Sequence, residues 1–197
     1  ASAALLRLAE TLRAPVYTTP LAKGLVPEDH PLCLSWGGVR GGLVRVFLKE
    51  ADVVLVVGSS LDEADGSRYG LTFEGKLLQV DSDRATIGRR YPAEVGLAGD
   101  ARTVLEQILA EMGPAEPTAR PSPAARIAEQ RARTRAEVAP QPIWQYVDAI
   151  ERALPRDGFV ANDGSRVNSW ANSFLRRYRP LTYAVTRNTA ALGFAWP

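Results

Sequence analysis

This sequence offers little histidine or cysteine for acid–base, nucleophilic or metal chemistry. His30 is the only histidine and Cys33 the only cysteine, so neither a histidine-based triad nor a site with several histidine ligands can form within these residues. A lone cysteine makes no intrachain disulfide, which fits a reducing cytoplasm. Asp62, Glu63 and Asp65 form an acidic cluster whose carboxylates could bind a cation, and a solvated turn is the simpler interpretation.

These residues must be positioned by a sheet, and the clearest strand runs over residues 52–57. It is a continuous apolar run rich in β-branched side chains, ended by Gly58. A parallel strand that is covered on both faces requires such a run. Residues 76–81 and 95–98 repeat the pattern and are predicted to be further strands.

Helices are predicted between and around these strands. Residues 1–12 carry leucines at helical spacing and lead into a short predicted strand over residues 14–19, and residues 43–50 are predicted to be helical. Asp100 occupies the N-cap position of a helix that presents one apolar stripe. Alternating strands and helices predict a doubly wound, parallel α/β sheet of Rossmann-like type over residues 1–112.

A change of composition then marks a linker over residues 113–142, which is rich in Pro, Arg and Ala. A solvated helix is plausible within it, and its arginines are expected to cover a surface. Residues 143–197 begin a second α/β domain, which we expect to be incomplete. Apolar surface is then expected to be exposed around four aromatic residues: Trp170, Phe174, Phe194 and Trp196.

The composition excludes several classes of protein. Hydrophobic residues make up 46% and charged residues 23% of the sequence, which is ordinary for a folded domain. No apolar run approaches the length of a membrane span. The formal charge of +2 is too small to indicate a nucleic-acid partner.

The order of several motifs resembles a known family. Residues 18–31 (TTPLAKGLVPEDHP), 51–58 (ADVVLVVG), 80–83 (VDSD) and 99–101 (GDA) are similar, in this order, to the central domain of thiamine-diphosphate-dependent enzymes of the acetolactate synthase and benzoylformate decarboxylase class. Residues 162–165 (NDGS) and 192–197 (LGFAWP) resemble the start of that family's diphosphate-binding domain.

This resemblance implies what the whole enzyme does. Members of the family decarboxylate a 2-oxo acid on thiamine diphosphate with Mg²⁺ and pass the product to a proton or to a second carbonyl compound; the cofactor supplies the difficult chemistry. A homodimer or homotetramer is expected. The activating glutamate belongs to the family's first domain, and the Gly-Asp-Gly metal motif is matched by neither Asp157-Gly158 nor Asp163-Gly164.

Two groups of site residues follow from the resemblance. Ser165 and Arg166 correspond to residues that approach the diphosphate, for which a hydroxyl and a cation are suited, and a turn hydroxyl with a surface arginine is the alternative. Leu192 corresponds to the bulky apolar side chain that holds the cofactor bent, with a plain core leucine as the alternative. No catalytic residue and no metal ligand is assigned.

The family's central domain often holds FAD, ADP or part of coenzyme A, and the carboxyl ends of parallel strands suit such ligands. The arginine that flavin-binding members carry after the strong strand is absent, and an empty site is the alternative, as is a helix cap for Asp100. The matching positions are Gly37, Gly38, Arg40, Gly58, Ser59, Asp81 and Asp100.

Three hypotheses follow. In the first, the chain is a fragment of a 2-oxo acid decarboxylase or carboligase and is inactive alone. In the second, it is a nucleotide-binding regulatory module for ADP, FAD or coenzyme A. In the third, it is a structural domain that supports oligomer contacts.

Overall fold

The computed structural model describes residues 1–37, 42–61, 71–113, 121–186 and 192–195. The chain divides into two compact units. The first unit contains Ala1–Ala14 and Arg45–Pro121, and the second contains Pro15–Val44 and Ser122–Pro197. The predicted domain boundaries at residues 112 and 142 stay predictions, because a packing unit and a domain are different divisions of a chain.

The first unit is built on a parallel sheet, which confirms the predicted α/β class. Its strands are β1 (Val53–Val57), β2 (Lys76–Asp81) and β3 (Val95–Ala98), in the order β1-β2-β3. Val57 lies opposite Val80, and Asp81 lies opposite Ala98. The carboxyl ends of the three strands therefore reach one edge of the sheet.

Both faces of β1 are covered, as its apolar sequence predicts. Alternate residues point to opposite faces. Leu55 and Val57 pack against the cluster of Leu8 and Leu105, which belong to helices α1 (Ser2–Leu12) and α3 (Ala101–Met112). Val56 of the other face lies in a second cluster, together with Leu61, Leu77, Val54, Phe73 and Tyr91. Helix α2 (Leu43–Glu50) has the bounds expected from the sequence.

The predicted strand over residues 14–19 forms only one bridge, between Val16 and Cys33. The parallel pairing does not continue, because the backbone N–H of Thr18 donates to the hydroxyl of Ser35 at 2.8 Å and not to a backbone carbonyl. The side chains of Thr18 and Ser35 share a second hydrogen bond at 2.7 Å. A short 3-10 helix, Pro20–Ala22, then turns the chain.

The second unit contains, in its described part, a two-stranded parallel sheet and three complete α-helices in addition to the 3-10 helix. The strands β4 (Val160–Asn162) and β5 (Tyr183–Val185) pair with Ala161 opposite Ala184. Helix α6 begins at Arg166, directly after its N-cap residue Ser165. The helices are α4 (Ala124–Val138), α5 (Pro142–Ala153) and α6 (Arg166–Phe174).

An aromatic cluster forms the core of the second unit. Trp36 lies edge-on to Trp144, with ring centroids 6.1 Å apart, and edge-on to Phe174 at 5.4 Å. Trp170 packs against the same cluster. The expectation that Trp170 and Phe174 would be exposed is therefore wrong: Trp36, from a segment expected to belong to the first domain, completes this core.

One side of helix α4 packs against the rest of the second unit, so the helix is not fully exposed to solvent. Ile127 and Thr134 are buried. Arg131 is more than half buried and donates to the backbone oxygens of Glu28 and Cys33, among others. Burial lowers the pKa of Arg131. Its Nη2 donates to carbonyl oxygens of residues 28–33, while its buried Nε has no hydrogen-bond partner within the described residues.

The role of Arg131 can be tested by substitution. Arg131→Ala removes a cation that several buried carbonyls accept from, so it should lower the free energy of unfolding by about 2–3 kcal/mol. Arg133→Ala is the matched control: Arg133 pairs with Glu129 on the helix surface, and its loss should cost under about 0.5 kcal/mol. Urea unfolding followed by tryptophan fluorescence measures both; equal effects would contradict the assignment.

A second substitution tests the close approach of the backbone at Gly24. Gly24 has a φ of +83°, and an added Cβ would lie 2.1 Å from the carbonyl oxygen of Arg179. Gly24→Ala should therefore cost about 3 kcal/mol or more, from a backbone clash added to a left-handed conformation. Gly42, with a φ of +72° and open space around it, is the control.

For Gly42→Ala only the left-handed conformation is penalised, at about 1 kcal/mol. The difference between the two variants isolates the steric term. Chemical unfolding of both variants gives the two values, and a Gly24→Ala variant no less stable than Gly42→Ala would show that the backbones do not approach so closely.

Candidate functional site

The start of helix α6 carries the side chains assigned to the diphosphate. Ser165 is the N-cap, and its Oγ accepts a hydrogen bond from the backbone N–H of Asn168 at 3.0 Å. The backbone N–H groups of Arg166 and Val167 in the first turn have no helical acceptor. The side chain of Arg166 is exposed. A hydroxyl, free amides, a helix N-terminus and a cation therefore lie within one turn, a combination suited to a phosphate group.

The carboxylate of Asp163 connects this segment to the turn that carries Leu192. Its Oδ1 accepts from the N–H of Gly164 at 2.6 Å, and its Oδ2 accepts from the N–H groups of Gly193 at 2.8 Å and Ala195 at 3.3 Å. Leu192 is 80% exposed, and its assignment to the cofactor stays a prediction. The structure thus brings Leu192 and Ser165 near one another through Asp163.

A cluster of amide and phenol side chains fixes β4 to helix α6. Asn162 Nδ2 donates to the Tyr183 hydroxyl at 2.6 Å and to Asn168 Oδ1 at 3.1 Å. The Tyr183 hydroxyl in turn donates to Asn172 Oδ1 at 2.7 Å. Burial raises the pKa of Tyr183, so its proton remains available as the donor. This cluster sets the direction in which the chain leaves β4 toward Ser165.

A buried ion pair supports the same helix. Lys23 Nζ lies 2.7 Å from Glu28 Oε1, and the two side chains are 1% and 0% exposed. Lys23 Nζ also donates to the carbonyl oxygen of Asn172, at 3.2 Å. Glu28 Oε2 accepts from the backbone N–H of Arg177 at 2.8 Å, and the Glu28 N–H donates to the Arg177 carbonyl at 3.0 Å. Both charges are thus satisfied by groups from residues 172–177.

The other assigned residues lie partly at the carboxyl edge of the first unit's sheet. Gly58 and Asp81 meet there, since Gly58 N donates to Val80 O at 2.9 Å and Gly99 N donates to Asp81 O at 3.0 Å. Parallel pairing thus brings Gly58, Ser59, Asp81 and Asp100 to one edge.

The polar side chains at this edge serve local turns. Ser59 Oγ accepts from Leu61 N at 3.2 Å, and Asp81 Oδ1 accepts from Asp83 N at 2.9 Å. Asp100 Oδ1 caps α3 by accepting from the backbone N–H of Thr103 at 2.9 Å, and this hydrogen bonding lowers the pKa of Asp100. The helix-cap interpretation of Asp100 is therefore confirmed, and its role toward a nucleotide stays a prediction.

The remaining assignments fall elsewhere. Gly37 belongs to the second unit, where its N–H donates to Ser173 O at 2.6 Å. Gly38 and Arg40 lie outside the described residues, as does the acidic cluster of residues 62–65. Cys33 is buried, and burial raises the pKa of its thiol, which disfavours the reactive thiolate.

Sequence reasoning missed the roles of Lys23, Glu28, Arg177 and Asp163. Lys23 and Glu28 stood within the quoted motif of residues 18–31 without a function. A charged residue is normally exposed, so nothing in the spacing of Lys23 and Glu28 indicated a buried pair. For Asp163, an acceptor directly before glycine was a usable signal for a turn.

No group of three or more His, Cys, Asp or Glu side chains among the described residues could hold a metal ion. None of the helices in the described ranges has the length and apolarity needed to cross a membrane.

Comparison with known proteins identifies the family. The family described as "Thiamine pyrophosphate enzyme, central domain" matches residues 1–108. The chain belongs to this thiamine pyrophosphate (thiamine diphosphate) enzyme family, which confirms the resemblance found in the sequence. The matched range includes residues of both packing units.

Individual relatives point in the same direction. A probable 2-ketoarginine decarboxylase of Pseudomonas aeruginosa is 35% identical over 205 residues, which cover 100% of this chain and 35% of the relative. A probable acetolactate synthase large subunit of Methanocaldococcus jannaschii is 28% identical, with 100% and 35% covered. A sulfoacetaldehyde acetyltransferase of Castellaniella defragrans is 27% identical, with 96% and 37% covered. The chain spans about a third of the length of these relatives.

The buried ion pair gives a prediction about stability. Lys23→Met leaves the Glu28 carboxylate buried without a counter-charge, so the free energy of unfolding of the second unit should fall by about 3–5 kcal/mol. Trp36, Trp144 and Trp170 belong to this unit, and Trp196 lies outside the described residues. Fluorescence-detected urea unfolding therefore reports on this unit.

Two further variants control this measurement. Lys23→Met/Glu28→Gln leaves no unpaired charge and should be more stable than Lys23→Met alone. Arg133→Met removes the cation of an exposed pair with Glu129 in the same unit and should cost under about 1 kcal/mol. A Lys23→Met variant as stable as Arg133→Met would show that the pair is not buried as described.

Proposed function

We propose that these residues form part of a thiamine-diphosphate-dependent 2-oxo acid decarboxylase or carboligase, and that they have no turnover by themselves. The observation that carries this proposal is the juxtaposition of Ser165 and Arg166, at the start of α6, with the Leu192 turn through the Asp163 carboxylate. Family membership and the names of the relatives support it.

The residues fit the proposed cofactor. Ser165, Arg166 and the first-turn amides of α6 would hold the diphosphate, since each can donate to a phosphate oxygen. Leu192, which is exposed on its turn, would give an apolar surface to the part of the cofactor beyond the diphosphate. Thiamine diphosphate, when bound, supplies the carbanion that attacks a 2-oxo acid carbonyl.

The remaining parts of the active site are proposed to come from polypeptide outside these residues. The relatives are about three times as long as the range they share with this chain. The activating glutamate and the Mg²⁺ ligands belong to that additional sequence in the proposal. A homodimer or homotetramer, a 2-oxo acid substrate and a cytoplasmic location complete it.

Cofactor binding is the direct test. Titration of the 197-residue protein with thiamine diphosphate and Mg²⁺, followed by calorimetry, should give saturable binding. Arg166→Ala should weaken it about tenfold, the value of one charge-assisted hydrogen bond. Arg152→Ala, which removes a 75% exposed arginine at the end of α5, should leave the affinity unchanged. Equal losses in the two variants would contradict the diphosphate assignment.

The same protein should show no decarboxylation of pyruvate or benzoylformate, because its residues include neither the activating glutamate nor the metal motif. Measurable turnover would overturn this part of the proposal. Titration with ADP, FAD and coenzyme A tests the nucleotide-binding alternative, for which saturable heat with one of them and none with thiamine diphosphate is the expected pattern.

A further inference from the structure

Asp163 makes an unusual set of contacts for a half-buried carboxylate. Its two oxygens accept backbone hydrogen bonds from two segments about thirty residues apart: Gly164 directly follows it, and Gly193 and Ala195 belong to the second segment. A carboxylate has several lone-pair sites, so one side chain can satisfy all three amides. These hydrogen bonds lower the pKa of Asp163, that from Gly164 most.

The segment Leu192–Ala195 offers few other anchors. Leu192 is 80% and Phe194 48% exposed, so neither side chain fixes the turn by burial. Gly193 has a φ of +88° with open space around its Cα, a conformation that glycine adopts without strain. Among the described residues, the hydrogen bonds to Asp163 are therefore the main interactions that orient this turn.

We infer that Asp163 is a positioning residue whose carboxylate holds the Leu192–Ala195 turn in place relative to the start of helix α6. It sets the direction of Leu192 while leaving Ser165 and Arg166 free for an anion. The inferred purpose of Asp163 rests on the proposed function, whereas the inferred geometry rests on the hydrogen bonds alone. Asp163 contacts no reacting atom and acts only through the turn.

Hydrogen exchange tests this inference in the intact 197-residue protein. Asp163→Asn keeps the shape of the side chain but replaces one acceptor oxygen by an NH₂ group, which cannot accept a hydrogen bond from a backbone N–H. The protection of the Gly193 and Ala195 amides, measured by NMR, should fall about tenfold or more. Asp157→Asn, which changes an exposed aspartate, should leave both amides unaffected.

Local and general effects are separated by amides elsewhere. The β5 amides of Tyr183 and Val185 should keep their protection in Asp163→Asn, because the inferred effect is confined to the turn. Unchanged protection at Gly193 and Ala195 overturns the inference. So does an equal loss at β5, because it would show that Asp163 stabilises the whole unit and does not position one turn.

The pH dependence gives a second readout, which needs no variant. Because the pKa of Asp163 is lowered in the folded protein, its contribution is complete above the unfolded value of about 4 and is lost as the pH falls through the folded value. Protection factors at Gly193 should follow this loss in the wild type but not in Asp163→Asn. The same pH dependence at Gly193 in the wild type and in Asp163→Asn would contradict the inference.

Cofactor titration distinguishes this inference from the proposed function. If the wild type binds thiamine diphosphate, Asp163→Asn should weaken binding several-fold although Ser165 and Arg166 are intact. If the wild type binds none, the proposed function fails, and the exchange result at Gly193 still decides whether Asp163 holds the turn. Unweakened binding in Asp163→Asn, with the turn released, overturns the assigned purpose of Asp163.

Discussion

The second unit depends on the burial of one ion pair. Removing a lysine and a glutamate from water is costly, and the pair is tolerated only where further hydrogen bonds satisfy both groups. Lys23 and Glu28 find these bonds on residues 149 positions away in sequence, at Asn172 and Arg177. The buried pair is therefore fully hydrogen-bonded only when the early segment and the chain after α6 meet in this arrangement.

This constraint explains how the candidate site is supported. Lys23 bonds the last turn of α6, and Trp36 fills the core beneath the same helix. The amide cluster around Asn162 fixes the entry to the helix, and Asp163 fixes the turn that carries Leu192. Residues whose types suit a diphosphate thus lie on a helix that is held at both ends, and a site on a rigid element keeps its geometry more accurately than a site on a loop.

The sequence was sufficient for elements whose signal is local. The strand β1, the helix α2 and the cap at Asp100 depend on periodicity, β-branched composition and a single N-cap side chain, and all three were predictable. The structure of the segment before Pro20 was not predictable, because tertiary contact decides whether the Thr18 N–H donates to a backbone carbonyl or to the Ser35 hydroxyl. The burial of Trp36 and Lys23 was not predictable either, because burial among residues that are distant in sequence leaves no periodic pattern. For the candidate site, the order of the motifs indicated Ser165, Arg166 and Leu192. The hydrogen bonds by which the Asp163 carboxylate connects them are visible only in the structure.

We expect residues 16–36 to fold as one cooperative unit with the segment after α6. Native-state hydrogen exchange in low denaturant tests this expectation most directly, because amides of one cooperative unit open with a common free energy. Glu28 and Leu34, whose N–H groups are hydrogen-bonded in this unit, should open together with Arg177 and Leu175. This expectation would be contradicted if the amides of Glu28 and Leu34 exchanged like those of an unprotected loop while Arg177 and Leu175 remained protected.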